Sequence, residues 1–205
     1  MKNNIMKNNM MKKILVISLI SLSIFAQNQD KKDPFKNKGF FNITKFTHYL
    51  VNSANLDYFE PNVGIERINV KTSQSNGNGL QTINGYFFNP HFSVGVGIGL
   101  ERFNSPNANT FPLFVDARYY LEDDYNSFYG FANAGGLLKI DKSFNSGMLI
   151  SAGIGYKFFI NSKKTIGLTT DVGYYHRSIK VPFINNPVES DLIMNGFMFS
   201  IGAIF

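Results

Sequence analysis

The sequence predicts an all-β fold: an eight-stranded antiparallel up-and-down β-barrel that crosses a membrane. Two observations predict it. From residue 39 onward, large apolar residues alternate with small or polar residues at period two, the period of a β-strand, in segments of about 11–15 residues. The second face of these segments is rich in glycine, whereas the outside of a soluble sheet is usually covered by Lys, Glu, Thr and Gln.

Eight segments carry this alternation. In the clearest, 91–103, one face is Phe92, Val94, Val96, Ile98 and Leu100, and the other contains Gly95, Gly97 and Gly99. Glycines on that face suit the narrow interior of a small barrel, although glycine in a strand can also mark a bend. The predicted strands are 39–51, 79–88, 91–103, 111–121, 127–139, 148–160, 166–177 and 191–205. Asn42, Thr44, Asn84 and Asn133 interrupt the apolar rows, so the faces of 39–51, 79–88 and 127–139 stay unassigned.

Short and long connections alternate between the predicted strands. Residues 89–90, 122–126 and 161–164 are short runs of turn formers, whereas 52–78, 104–110, 140–146 and 179–190 are longer and rich in Asn, Ser, Gly and Pro. Outer-membrane barrels have tight periplasmic turns and longer external loops. An even number of strands then places both ends of the barrel on the periplasmic side.

The first 26 residues are typical of a secretory signal peptide. Lys2, Lys7, Lys12 and Lys13 precede an apolar run that ends at Ala26, and this run is shorter than the ~20 residues a membrane-spanning helix needs. Met10 and Met11 leave the start codon open. The predicted organisation is a signal peptide at 1–26, a short periplasmic segment at 27–38 and a barrel at 39–205, located in the Gram-negative outer membrane after cleavage.

Composition excludes several kinds of function. The chain has no Cys, which removes disulfides, thiolate catalysis and Cys-ligated zinc. Cleavage of the signal peptide removes four Lys and no acid, so the formal net charge falls from +6 to +2. The remaining chain has no basic patch with interleaved aromatics, and no nucleic-acid partner is expected. No cofactor or metal is expected either.

Charged residues on the second face predict a closed lumen. Counted from the periplasmic turns, Arg118 and Lys157 lie near the bottom and Asp116 and Asp171 somewhat higher, a group balanced in sign. Glu101, Lys139 and Arg177 lie near the outer end. Eight strands leave an interior just wide enough for side chains, so these seven residues are predicted to form a salt-bridged plug. The alternative is that each charge is separately solvated on a water-filled face.

Part of the sequence resembles a known family. The run from Gly39 to Thr44, the run from Thr82 to Gly97 and the segment 112–121 resemble the small outer-membrane β-barrel domain family, porin-like and of the OmpA/OmpX type. The resemblance covers nearly all of 39–205 and implies location and architecture. The family carries no shared catalytic motif, so the resemblance implies no reaction.

The functions that remain are a non-enzymatic barrel, an outer-leaflet lipid enzyme of the lipid A deacylase type and a narrow channel of low conductance. An enzyme would need His48 close to Ser190 or Glu189, and no His belongs to a metal or hydrolase motif. The non-enzymatic barrel is favoured, with external loops 52–78 and 179–190 presented to a partner. An aromatic girdle is expected from Tyr119, Tyr120, Tyr125, Phe158, Phe159, Tyr174 and Tyr175.

The last residue is expected to take part in assembly. Phe205 ends the chain on the same face as Phe197, Phe199 and Ile201. Barrels with this ending resemble substrates of the barrel-assembly machinery, which reads the last strand. The predicted partners are therefore outer-membrane lipid, the assembly machinery and an external partner of the loops.

Overall fold

A computed structural model describes residues 37–60, 62–72, 75–105, 107–160, 167–182 and 190–205. The predicted signal peptide and residues 27–36 lie outside the described residues. No helix in the described part of the chain is long and apolar enough to cross a membrane. The described residues form ten strands: β1 Gly39–Glu60, β2 Gly64–Val70, β3 Asn76–Asn89, β4 Phe92–Asn104, β5 Asn107–Thr110, β6 Pro112–Tyr120, β7 Ser127–Leu137, β8 Gly147–Phe159, β9 Gly167–Val181 and β10 Ser190–Ile204.

Eight of these strands form a closed antiparallel barrel, which confirms the predicted fold class. The order around the ring is β1, β3, β4, β6, β7, β8, β9 and β10, and β10 pairs with β1 to close it. The other two strands extend the wall: β2 pairs with the second half of β1, and β5 pairs with the end of β4. We call the end of the barrel where β3 turns into β4 the turn end, and the opposite end the loop end.

The final residue completes the closure of the ring. Phe205 and Asn42 exchange two backbone hydrogen bonds, N to O, of 2.9 and 3.0 Å. Further along, β10 and β1 stay in register from Ile204 opposite Ile43 to Gly196 opposite Val51, after which one extra residue in β1 makes a bulge. A closed ring leaves no strand edge open along the wall.

The alternation of residue types decides which side of the wall each residue faces. Along β4, Val96 and Leu100 are exposed on the outer surface, while Gly95 and Gly97 are buried inside. The structure also assigns the faces that the sequence left open. On β1, Phe40 and Phe46 point outward, and Ile43, Lys45 and Thr47 point inward.

Inward-facing glycines make room for large rings in the narrow interior. A Cβ added to Gly85 would lie 2.3 Å from the ring of Phe41, and one added to Gly97 would lie 2.2 Å from the ring of Phe114. Both distances are far below van der Waals contact, so the rings lie directly on the glycine backbone. The glycine-rich face therefore fills the lumen through its neighbours' side chains, a pairing also used to build designed barrels.

Several predicted connections are shorter than expected, because strands continue past the predicted ends. The 52–78 connection contains the rest of β1, all of β2 and the start of β3, so it is largely a β-hairpin. β5 occupies most of 104–110, and β9 and β10 extend into 179–190. Asn- and Ser-rich composition suggested loops, but backbone pairing with a neighbouring strand outweighs that weak local preference.

Conversely, the 127–139 strand is two residues shorter than predicted. The register of β7 with β6 runs to Leu137 opposite Pro112, which has no backbone N–H to donate to the ladder, and one further bond of 2.8 Å joins Leu138 N–H to the oxygen of Phe111. Lys139 consequently lies beyond the strand, and its side chain is exposed.

The pairing of the last residue generates a prediction about assembly. Deleting Phe205 removes both hydrogen bonds to Asn42, and Phe205→Ala keeps this backbone pairing but removes the ring. We expect both changes to lower the fraction of chain that assembles in cells, measured as the heat-modifiable band on gels, if the terminal ring acts as the predicted assembly signal. Ile201→Ala, on the same outer face, is the control that should assemble normally. Normal yield from Phe205→Ala would restrict the role of this residue to closing the ring.

Candidate functional site: the barrel lumen

The inside of the barrel holds charged and aromatic side chains at three levels. We call them the loop-end layer, the middle layer and the turn-end layer. The loop-end layer is built on Glu101 and Arg177, the middle layer on Lys45, Asp171, Asp116 and Arg118, and the turn-end layer on Lys157. All seven of these residues are buried.

The loop-end layer is organised around the Glu101 carboxylate. Arg177 Nη2 lies 2.9 Å from its Oε1, which also accepts hydrogen bonds from Tyr49 (2.7 Å) and Gln81 (2.9 Å). Its Oε2 accepts from Thr110 at 2.9 Å. Because four donors surround one carboxylate, its lost hydration is replaced by the protein, the condition under which a buried charge is tolerated.

The middle layer contains two ion pairs joined by a tyrosine. Lys45 donates to Asp171 at 2.9 Å, and Arg118 donates to Asp116 at 2.8 and 3.3 Å. The guanidinium of Arg118 lies over the ring of Tyr129, 4.9 Å from its centroid, and the Tyr129 hydroxyl donates to Asp171. One continuous network therefore links strands β1, β6, β7 and β9.

The turn-end layer closes the opposite mouth of the barrel. Lys157 donates to the amide oxygen of Asn37, which is buried although it precedes the first strand. The Asn37 amide in turn donates to the backbone oxygen of Glu122 in the β6–β7 turn at 3.3 Å. The Lys157 ammonium also lies 5.1 Å from the centroid of the Tyr120 ring, a cation–π contact.

Each layer joins walls that face each other across the barrel. In a ring of eight strands, strands four places apart are opposite, as β4 and β9, β1 and β7, and β3 and β8 are. The Glu101–Arg177 pair joins β4 to β9. Lys45 on β1 lies 5.3 Å from the Phe131 ring on β7, and Lys157 on β8 lies 6.0 Å from the Phe87 ring on β3. Side chains therefore cross the bore at three depths.

One gap between the described crossing side chains lies next to the loop-end layer and has no room for a water molecule. It is lined by Tyr49, Gln81, Phe114, Asn133, Leu149, Ser151, Arg177 and Met198. In the amide orientation that satisfies its hydrogen bonds, Asn133 donates to Asp116 Oδ2 at 2.7 Å and ties this gap to the middle layer.

The structure places six of the seven predicted lumen charges inside the barrel, but with partly different partners. Asp116 and Arg118 pair with each other, and Glu101 pairs with Arg177. Asp171 pairs with Lys45, which the sequence did not single out because the face of 39–51 was unassigned. Lys157 contacts Asn37 and rings instead of a carboxylate, and Lys139 is outside the buried layers. Lys45 could have been found by assigning β1 from its pairing with β10.

The histidines lie apart from the lumen network. The His48 ring lies on the outer surface, 2.8 Å from Asn78 Oδ1, and the His176 ring lies 2.7 Å from Asn195 Oδ1. His48 is opposite Phe199 on β10, nine residues from Ser190, roughly 30 Å along an extended strand. Glu189 lies outside the described residues. Among the described residues, no three metal-ligating side chains cluster together.

Solved structures share this architecture. The solid-state NMR structure of the outer membrane protein AlkL in lipid bilayers has a TM-score of 0.51 and 16% identity, covering 87% of this chain and 95% of AlkL. The chain has the fold of a small outer-membrane β-barrel. The crystal structure of OprG from Pseudomonas aeruginosa is also similar, with a TM-score of 0.46 and 13% identity over 82% of this chain and 96% of OprG. The crystal structure of Neisserial surface protein A has a TM-score of 0.47 and 14% identity over 82% of this chain and 98% of that protein. No protein-family model and no curated protein sequence matches the chain.

The outer surface of the barrel carries aromatic residues where an interface with the membrane surface is expected. A chain of ring contacts at the turn end runs from Phe40 to Tyr86 (4.9 Å), from Tyr86 to Phe88 (5.5 Å) and from Phe88 to Phe92 (6.3 Å). Tyr119 is exposed at the same end. Tyr120 and Tyr175, which were predicted for this girdle, are instead buried in the lumen, because adjacent residues of a strand face opposite sides of the wall.

The middle layer generates a prediction about stability. Lys45→Met leaves Asp171 without its cation in a buried site, and breaking such a pair typically costs about 3–5 kcal/mol. Replacing both partners, as Lys45→Met with Asp171→Leu, should cost clearly less than the sum of the two single changes. Unfolding of the refolded barrel in urea, followed by gel mobility, measures the coupling.

The exposed pair of Asp57 and Arg67 is the matched control. Arg67→Ala removes an ion pair of 2.7 Å on the surface, where such pairs contribute about 0–1 kcal/mol. Equal, additive effects at Lys45 and Asp171 would mean that these two charges are solvated separately.

Proposed function

We propose that the chain is a non-enzymatic integral protein of the Gram-negative outer membrane, with a closed lumen, that acts in the envelope through its lipid-contacting wall and an external hairpin. The observation that carries the proposal is the crossing of the bore by buried side chains at three depths. Water-filled porins use about 16–18 strands, whereas eight strands leave an interior that side chains fill.

Among the described residues, the β1–β2 hairpin is a surface that this barrel offers to a partner; residues 183–189 of the other predicted partner loop lie outside the described residues. β1 has 22 residues, which at about 3.3 Å each and a tilt of ~40° is roughly twice the ~25 Å apolar band, so its second half rises beyond the wall with β2. Asn62 and Gly64, both at positive φ, turn the chain at the tip. A stiff, paired hairpin can present side chains to a partner with little loss of entropy on binding.

Residue types on the hairpin suit protein recognition. Val63 and Ile65 are 67% and 79% exposed near the tip. Below them, Arg67 donates two hydrogen bonds to Asp57, which lower the pKa of that carboxyl below its ordinary value, so the pair stays ionised at neutral pH. An apolar tip above a charged pair resembles the apolar centre and polar rim of protein interfaces. We therefore assign the external partner to this hairpin.

The arrangement of the histidines argues against a lipid A enzyme. Catalysis at a lipid bond needs an acid–base group within hydrogen-bond reach of the nucleophile. His48 is instead engaged by Asn78 on the outer surface, and Ser190 is buried far along β10.

Planar bilayers test the closed lumen. The purified, refolded barrel should produce no steady conductance, because no aqueous path crosses the three layers. Arg177→Ala removes the pair that spans the loop-end layer and is expected to produce brief, small openings at most, while Arg67→Ala on the hairpin should behave like the parent. The same protein in liposomes that contain lipid A should release no fatty acid. Large steady conductance from the parent would contradict the closed barrel, and fatty-acid release would contradict the non-enzymatic role.

A further inference from the structure

The outward side of the wall carries a group of polar side chains inside the region that faces lipid, of which Asn42 and Thr82 are buried and Thr44 and Asn84 are half-buried. Asn42 and Thr44 on β1 and Thr82 and Asn84 on β3 form it, and we call it the amide cluster. Asn42 Nδ2 donates to Thr82 Oγ1 at 3.0 Å and to Asn84 Oδ1 at 2.9 Å. Thr44 Oγ1 donates to Asn42 Oδ1 at 3.1 Å. These four residues include three of the four that interrupted the apolar rows of the sequence.

The amide cluster lies at a depth that falls within the apolar band of the barrel wall. The outward residues of β1 run from Phe40 through the cluster to Phe46 and Leu50. The ten residue-to-residue steps from Phe40 to Leu50 rise about 25 Å at a tilt of ~40°, so Asn42 and Thr44 lie roughly 5 and 10 Å into the hydrocarbon. Lipid tails cannot hydrogen-bond, and polar groups at this depth need partners from protein.

The hydrogen bonds within the cluster leave the N–H donors of one amide, that of Asn84, unused. Asn42 uses both of its N–H groups and its oxygen within the cluster. Asn84 accepts from Asn42, but its own Nδ2 group donates to no described residue. Asn84 is half-buried on the outward side of β3, next to the exposed Tyr86 two residues along the strand, so it is partly accessible from the outer surface. A side-chain amide carries two donors and an acceptor with two lone pairs, which makes it complementary to a second amide.

We propose that the amide cluster is a contact between two copies of this chain in the membrane, with Asn84 of each copy pairing with Asn84 of the other. Copies inserted in the same direction are related by a two-fold axis along the membrane normal, which brings the same residue of each copy to the same depth. The two amides then exchange reciprocal N–H···O bonds. Phe40, Tyr86, Phe46 and Leu80 surround the contact and pack against their counterparts.

The opposite wall lacks these features, which favours a pair over a larger ring. β3 and β8 are four strands apart, and the outward residues of β8 include Ala152, Ile150 and Ile154, all apolar. One polar contact surface per copy closes after two copies.

Cross-linking in a chain without native Cys tests the proposal. Tyr86→Cys places a thiol beside Asn84, and Ala152→Cys places one on the opposite wall. A short bis-maleimide applied to the protein in liposomes, at several lipid dilutions, should cross-link Tyr86→Cys into a dimer and leave Ala152→Cys monomeric. Equal cross-linking of the two variants, or none from Tyr86→Cys at any dilution, would overturn the proposal and leave the cluster as a self-contained group facing lipid.

A second substitution tests whether the pair of Asn84 amides, and not random collision of two barrels, brings the thiols together. Adding Asn84→Leu to Tyr86→Cys should weaken dimerisation about tenfold, the effect expected of two hydrogen bonds in a membrane. Leu at position 84 also removes the acceptor of one Asn42 N–H, so unfolding in urea is measured for the same variant, and the comparison is made where the barrel remains folded. Asn78→Leu, which removes another outward amide of β3, should leave the dimer intact. Undiminished cross-linking with Asn84→Leu would refute the amide contact.

Discussion

The ion pair between Glu101 and Arg177 joins two walls of the barrel that lie four strands apart, and the interior supplies hydrogen bonds to its carboxylate, while Nε and Nη1 of Arg177 have no hydrogen-bond partner among the described residues. A carboxylate and a guanidinium taken out of water lose several kcal/mol of hydration each, which their mutual attraction offsets only when further hydrogen bonds are made. Tyr49, Gln81 and Thr110 provide those bonds to Glu101. The lower network of Lys45, Asp171, Asp116 and Arg118 follows the same rule. Side chains of the described strands therefore cross the bore as paired charges.

Glycine makes that arrangement geometrically possible. Eight strands enclose a bore in which long inward side chains on every strand would collide. At Gly85 and Gly97, a neighbouring ring lies on the bare backbone, and at Gly155 the Tyr129 ring does so, with a Cβ–Cζ approach of 2.5 Å if a side chain were added. Tyr129 is the residue that links the two ion pairs of the middle layer. The glycine that permits its position is therefore as important to the network as the charges.

Period-two alternation was sufficient to predict the fold, because a strand that separates lipid from lumen must change residue type at every step. It also placed Glu101, Asp116, Arg118, Asp171 and Arg177 on the inner face, since each lies in a segment with clear faces. It could not place Lys45, because Asn42 and Thr44 made the outer face of β1 polar and hid the pattern. The sequence could not predict which side chains pair across the bore, because that pairing depends on the register of every strand in the ring. The β1–β2 hairpin was missed because pairing with a neighbour overrode a loop-like composition.

The accessibility of a side chain between two layers tests the closed lumen most directly. Thr47 points inward on β1 between Lys45 and Tyr49 and contacts Ser200 at 2.9 Å, and the chain has no other thiol to compete with an introduced one. A small charged methanethiosulfonate added to both sides of reconstituted protein should modify Ile65→Cys on the external hairpin rapidly and leave Thr47→Cys unmodified until the barrel is unfolded. Modification of Thr47→Cys at the rate of Ile65→Cys would mean that water fills a continuous bore, and the closed barrel would be contradicted.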